Sequence, residues 1–390
     1  MPRNPNKIDY SQNFPAGLES FHVIEDPRSD GRTLHHFGEV LFLCVTGILC
    51  GMNGFSEISQ FGRLQLDWLR KYGEFPNGAP SGQTLSNIFA VIDQKQFQDA
   101  LITHIKQLKP DIQKQIIAID GKALRGSHST IKKIAHAVSA WAAKDGITLA
   151  QQFVDEKSNE ITAIPKLLEM LDLEGHIVTI DAMGTQTDIA EQIIEKKGDY
   201  FLAVKGNQGS LLTAVEDHMH FGLTQINLEK SDSWDHYVAK EEKAHGRTTR
   251  RSVVVCNNLM GFDEEALKKW PGLQSIIAVE TETLLHTKGK KRKPERRYYM
   301  SSMKTDAKTF HDISVKHWSI ENQCHWVMDV TFREDYNRTR TESAPENFST
   351  LVRMVLNILK SDETRKLSLP KKRLEALQDI NYREKLLSLI

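Results

Sequence analysis

Residues 115–121 read Gln-Ile-Ile-Ala-Ile-Asp-Gly, and residues 176–182 read His-Ile-Val-Thr-Ile-Asp-Ala. Each is a short apolar run, rich in β-branched side chains, that ends in an aspartate. Such runs predict buried strands leading into loops. Between them lie two further runs, 136–143 and 147–154, joined by Lys144-Asp145-Gly146. Asp-Gly between apolar runs predicts a hairpin. Leu167, Leu168 and Leu171 have helical spacing over 162–173, and Gly175 stops that helix. A second helix is expected over 187–197, closed by Gly198, then a strand over 200–204 and a helix over 210–221. Three leading strands followed by helix-linked strands predict a mixed sheet with helices on its faces.

Outward from this centre the texture changes. Residues 1–110 read as helical, with helices expected over 37–52, 55–72, 84–93 and 96–108 and a Gly/Pro loop from Phe75 to Gly82. Residues 223–300 break the alternation, with strands expected at 252–256, 274–282 and 297–300. A long aromatic-rich helix is expected over 309–332 and an amphipathic one over 347–360. The expected organisation is a helical N-terminal domain (1–110), an α/β core (111–222 and 301–362), a strand-rich insertion (223–300) and a helical C-terminal tail (363–390). Strand, hairpin, helix, strand, helix, strand, helix is also the order of the ribonuclease H-like fold.

The 390 residues are 39% hydrophobic and 26% charged, which excludes a disordered or collagen-like chain. Lys and Arg (51) balance Asp and Glu (51), so a uniformly basic coat for nucleic acid is excluded and a local basic face is not. Cys44, Cys50, Cys256 and Cys324 form no CxxC pair, so free thiols in a reducing compartment are expected and a zinc ribbon is not. The N-terminus has no apolar core. The longest apolar run, 40–52, is broken by Thr46, Gly47 and Gly51 and falls short of the roughly 20 residues of a membrane span. A soluble cytoplasmic protein is expected.

Asp120 and Asp181 each close a strand, and the carboxyl ends of parallel strands form the functional rim of an open sheet. If the strands are neighbours, both carboxylates enter one crevice and repel unless a cation neutralises them. With no His or Cys pair beside them, oxygen ligation favours Mg2+ or Mn2+. The plainer role, an Asp that starts a turn, fits each residue as well. Glu321 is the candidate third carboxylate. On a helix, His317, Glu321 and His325 share a face, with Trp318 and Trp326 to one side as anchors. The plainer role here is a Glu paired at the edge of the core, and Asp329, Glu334 and Asp335 compete as donors.

The segments IIAIDGKALRGS (116–127), IVTIDAMGTQ (177–186), DYFLAVKGNQ (199–208) and HWSIENQCHWVMDVTFRED (317–335) resemble the DDE transposases of bacterial insertion sequences, of the H-repeat-associated type. The likeness covers essentially the whole chain, including IEDPRSDGRTLHHFGEVL (24–41). It implies a ribonuclease H-like core. Asp120, Asp181 and Glu321 would be catalytic residues and ligands of two Mg2+ (or Mn2+) ions. It also implies metal-dependent DNA cleavage and strand transfer at element ends, with double-stranded DNA as partner and a homodimer on DNA as one arrangement. Related transposases carry an Arg four residues before the Glu and a Lys seven after it; here those positions are His317 and Met328, with Lys316 one place from the first.

A neutral chain that binds DNA must gather its positive charge. The run 286–297, HTKGKKRKPERR, holds seven Lys or Arg and one Glu, and it includes Lys290, Lys291, Arg292 and Lys293. Lys122 and Arg125 after Asp120, Lys205 and Gln208 after the 200–204 strand, and His245 and Arg247 in a turn are further candidate DNA contacts. A solvated loop is the plainer reading of the run. Trp234 and Trp270 read as core of the insertion. Two other readings stand beside the transposase: a nuclease of the same fold without strand transfer, and a DNA-binding remnant that no longer catalyses.

Overall fold

A computed structural model describes residues 16–28, 33–128, 134–154, 158–225, 233–244, 246–286 and 290–389. Five helices come first: α1 (Phe37–Leu49), α2 (Phe55–Leu64), α3 (Leu66–Leu69), α4 (Gly82–Val91) and α5 (Gln94–Leu108). The sheet begins with β1 (Ile116–Leu124), β2 (Ala135–Ala142) and β3 (Ile147–Phe153). It continues through α6 (Glu160–Glu169), β4 (Ile177–Ile180), α7 (Thr187–Glu195), β5 (Asp199–Val204) and α8 (Gly209–Gln225). Next come β6 (Trp234–Val238), β7 (Glu242–Ala244), β8 (Arg247–Cys256), α9 (Glu264–Lys269), β9 (Ser275–Leu285), β10 (Lys290–Lys291) and β11 (Glu295–Ser301). Last are α10 (Ala307–His317), α11 (Trp326–Val330), α12 (Ala344–Ser361), α13 (Leu369–Gln378) and α14 (Ile380–Leu387).

The first five strands lie in the order β3-β2-β1-β4-β5. β1, β2 and β3 are antiparallel, and β1, β4 and β5 are parallel. This is the ribonuclease H-like arrangement that the strand order predicts. The segment 223–300 continues the same sheet, because β11 pairs antiparallel with β5 and is followed by β9, β8 and β6. β6 and β7 carry half-exposed or exposed side chains at most positions and so lack the apolar run that marks a buried strand. The basic run falls at the tip of the β9/β11 hairpin, where Lys290 and Lys291 pair with Leu285 and Leu284.

Helix α10 covers one face of the sheet. Ala307, Phe310 and Ile313 pack on Phe201, Tyr299, Ile277 and Val253. Helix α12 is the spine of the molecule. It is buried on every side from Ala344 to Leu359, not on one face as its amphipathic pattern suggests. It lies between the sheet and the N-terminal helices, and its polar residues are used inside. Asn357 accepts from Thr148 N at 2.9 Å and donates to Thr148 O at 2.9 Å. Asn347 donates to Phe89 O and Ile92 O, and Gln98 donates to Thr350 Oγ1. One apolar core therefore runs from Phe21 through α12 to Leu387. No helix of the described residues is long and apolar enough to cross a membrane. The four cysteines are unpaired and buried.

Arg353 on α12 has no exposed surface, and its Nη1 lies 2.8 Å from Glu334 Oε1. Burial pushes the Glu334 carboxyl up, but Arg353 and Lys122 outweigh it and hold the group below its ordinary 4.5. The pair's contribution is therefore full above about pH 4.5 and is lost as the pH falls through the depressed value. Arg353→Met should cost about 3–5 kcal/mol in urea unfolding at pH 7, because it strands a buried carboxylate, and Glu334→Gln in the same chain should restore much of that. A loss below about 1 kcal/mol would show the pair to be dispensable.

Gly126, just past β1, meets the loop after α11 so closely that a Cβ there would sit 1.9 Å from Asn337 O. Gly126→Ala should destabilise by about 2–3 kcal/mol. Gly209→Ala, at a right-handed helical position where a Cβ meets nothing within 4 Å, should hold or slightly raise the melting temperature.

Candidate active site

The parallel pairing of β1 with β4 ends at Ile119 and Ile180. One residue further the same register sets Asp120 beside Asp181, on strands about 4.8 Å apart. Asp120 does not end its strand, as the sequence suggests. β1 runs on to Leu124 against β2, from Asp120↔Ser139 to Leu124↔Ala135, while β4 stops. The crevice opens because one partner leaves. Asp181 also keeps its turn role, since its Oδ1 accepts from Met183 N at 3.0 Å and Gly184 N at 3.2 Å.

Ile116, Ala118 and Asp120 alternate onto the face that α10 covers. The helix expected over 309–332 is not continuous. It turns at Trp318 and widens into a π-helical turn over Glu321–His325 before α11. Such turns interrupt α-helices where a site needs side chains placed off the regular spacing. His317 Nδ1 lies 2.9 Å from Thr179 Oγ1, and His325 Nδ1 lies 3.3 Å from Asp120 Oδ2. Burial lowers the His317 pKa, against the pull of Asp120 and Asp181. Glu321 stands between the histidines. Its carboxyl is raised by burial and then by Asp120 and Asp181, while His325 and Arg297 oppose the shift.

A fourth carboxylate enters from the opposite face. Glu160, the first residue of α6, reaches across Gly121, where a Cβ would lie 2.2 Å from its Oε1. Burial raises its pKa first, then Asp120 and Asp181. Gly121 is thus the residue that admits Glu160 beside Asp120. Among the described residues, no three His, Cys, Asp or Glu side chains are spaced to close on one ion. The donor chemistry nonetheless suits a hard divalent cation. Carboxylate oxygens are its ligands, and Glu321 and Glu160, raised first by burial, are raised further by the charges of Asp120 and Asp181.

Positive charge gathers at the far side of the crevice. Tyr298 pairs with Val204, so one residue on, Arg297 faces Lys205 on the same side of the sheet as the aspartates. The Arg297 guanidinium stacks 4.7 Å from the Trp318 ring centroid, and its charge reaches both Glu321 and His317. Met328, at the place of the related transposases' Lys, is fully buried core. Trp326 is 59% exposed and anchors nothing on the sheet.

The other candidate contacts divide. Lys122 is buried, with Nζ 2.6 Å from Asp329 Oδ1, 3.2 Å from Asp335 Oδ1 and 3.7 Å from Glu334 Oε2. It is an interior ion-pair hub, not a surface contact, and it gathers all three competing carboxylates onto itself. Arg125 is exposed. Gln208 donates to Thr185 O at 2.6 Å and so ties its own loop to the turn after Asp181. Arg247, Arg292 and Lys293 are exposed, and Lys290 and Lys291 are described in backbone only. His245 lies outside the described residues. Trp270 is buried and Trp234 packs against the same core, as expected of them.

Glu160 and Arg297 are the site residues that sequence reasoning did not single out. Neither sits in a motif. The one local signal was the Gly beside Asp120.

Residues 111–358 match the family described as Transposase DDE domain, and residues 18–105 match the DDE_Tnp_1-associated domain. The "H repeat-associated putative transposase YhhI" of Escherichia coli K12 is 37% identical over 371 residues, covering 94% of this chain and 96% of that protein. The "Putative transposase YncI" of Escherichia coli O157:H7 is 38% identical over 376 residues, covering 95% and 94%. A solved piggyBac transposase synaptic complex with hairpin DNA aligns at 11% identity and a TM-score of 0.46, over 97% of this chain and 83% of that one, too loosely to add to the strand order. The chain belongs to the DDE transposase family, among the H repeat-associated proteins.

Proposed function

We propose that this transposase cuts DNA at the ends of an insertion sequence and joins the freed strand to a target, in the cytoplasm, at the crevice of Asp120, Asp181 and Glu321. The observation that carries this reading is the register that sets Asp120 beside Asp181, with Glu321 brought over them by the π-helical turn. Asp120, Asp181 and Glu321 are the residues that would hold Mg2+ or Mn2+, two ions in the usual form of such sites. The metal would neutralise charge at phosphorus and activate the attacking oxygen. The chain's own part is positioning. His325 fixes the Asp120 carboxylate, and His317 braces the helix on Thr179. Arg297 and Lys205 offer cations to a phosphate lying over the crevice. Attack by water on phosphorus breaks the bond to the 3'-oxygen and frees a 3'-hydroxyl, and attack by that hydroxyl on a target phosphorus joins the strands and expels the target's own 3'-oxygen as a hydroxyl. Both are in-line displacements that one site performs in turn. The basic tip at Arg292 and Lys293 and the exposed Arg125 are further contacts for the duplex, and two copies on paired ends are the arrangement we expect.

Asp120→Asn should keep the fold and duplex binding and lose nicking of an end-containing substrate by on the order of 10³-fold or more. Retention of a tenth of wild-type nicking would move the active site elsewhere. Supplying pre-cleaved 3'-hydroxyl ends with a target plasmid separates transfer from simple hydrolysis.

The raised Glu321 carboxyl sets a pH dependence. Its proton is held to higher pH in the folded chain than in the unfolded one, so ionising it weakens folding as the pH climbs past 4.5. Glu321→Gln should therefore melt above wild type at pH 7.5 without metal, with the gap closing near pH 4. Mg2+ should raise the wild-type melting temperature at pH 7.5 and raise that of the variant less. A variant that melts below wild type at pH 7.5 would contradict the carboxylate cluster.

A further inference from the structure

The acids and bases of the segment after α11 are sorted by side. Residues 333–341 read Arg-Glu-Asp-Tyr-Asn-Arg-Thr-Arg-Thr. Glu334 and Asp335 turn inward to Arg353, Lys122 and Arg125. Arg333, Arg338 and Arg340 remain exposed. They line an open groove of 690 Å³ whose other wall is the first turns of α2 and α4, with Ser56, Gln83 and Ser86. Glu57, the acid on that wall, accepts from Asn53 N at 2.6 Å. The groove thus presents guanidiniums, hydroxyls and amides, the groups that contact phosphate and sugar rather than read bases. The N-terminal ends of the two ten-residue helices add partial positive charge to the same wall.

The groove is fastened to the active-site strand. Arg340 Nε donates to Gly126 O at 3.4 Å, and Asn337 donates to Asn53 O at 3.2 Å, bridging the loop to the N-terminal helices. Gly126 lies six residues beyond Asp120. At about 3.3 Å per residue, the loop anchor is within about 20 Å of the carboxylates, some six base-pair steps.

We propose that this groove binds the sugar-phosphate backbone of duplex DNA beside the catalytic crevice. The N-terminal helical domain is then one jaw of the DNA site, and the loop 333–341 the other. The inference rests on the DNA reading above and adds where the duplex lies. A neutral chain needs such a place, because only local positive charge can hold a polyanion.

The test measures full-length protein binding to a 30-base-pair duplex by fluorescence anisotropy over a series of salt concentrations. Arg338→Ala with Arg340→Ala should weaken binding at least about tenfold and make the slope of log affinity against log salt shallower by about 1.8. Gln83→Glu guards against misfolding. A negative charge in the first turn of α4 favours the helix, so its melting temperature should hold or rise, while DNA binding weakens. If the wild type binds and nicks DNA but both variants keep its slope and affinity, the groove assignment alone is overturned. If the wild type neither binds nor nicks any duplex, the DNA reading falls and takes this inference with it. Weaker binding by both folded variants sustains it.

Discussion

Two negative charges on neighbouring strands define this molecule. Asp120 and Asp181 come together because β1 and β4 pair in parallel up to Ile119 and Ile180, after which only β1 continues. A sheet does not bring like charges side by side at no cost. The carboxyls of Glu321 and Glu160, which approach from opposite faces, are raised by burial and then further by that charge. Everything nearby answers the same repulsion: His325 on Asp120, Arg297 stacked on Trp318, and Lys205 across the crevice. The folded chain concentrates like charge in this crevice, a pattern found more often at functional sites than elsewhere.

Rigidity around that unfavourable cluster comes from elsewhere. α12 is sealed between sheet and N-terminal helices, and its asparagines bond to strand and helix backbone alike. Lys122 gathers Asp329, Glu334 and Asp335 into a compact knot under the loop after α11. These contacts hold the helix that bears Glu321 at a set height over the sheet. A constellation placed on strands and a braced helix keeps its geometry better than one placed on loops.

The central strands were legible because their signals are local. The apolar runs, the Asp-Gly turn and the closing glycines lie within a few residues of what they specify, and the hairpin of β2 and β3 falls where those signals put it. The aspartates stood out as ends of apolar runs, although Asp120 proved to be where a partner leaves and not where its strand stops. The π-helical turn was not legible, since contacts to Thr179 and Asp120 from distant segments set it. Glu160 was invisible for the same reason: its place depends on an empty position at Gly121, 39 residues earlier. Lys122 misled because adjacency to Asp120 along the chain said nothing of the acidic loop that covers it.

The hairpin of β9 and β11 extends the central sheet, with β11 laid directly onto β5 and β9 onto β11. Arg297, which faces the crevice, and Lys293, toward the tip, lie only four positions apart in the chain. The base of the basic run is therefore no swinging arm. From Glu295 to Arg297 it is a ruler of fixed length, ruled in hydrogen-bonded strand, with its zero mark at the carboxylates. Whatever Arg292 touches, it touches from a backbone pinned to Thr283 on the neighbouring strand.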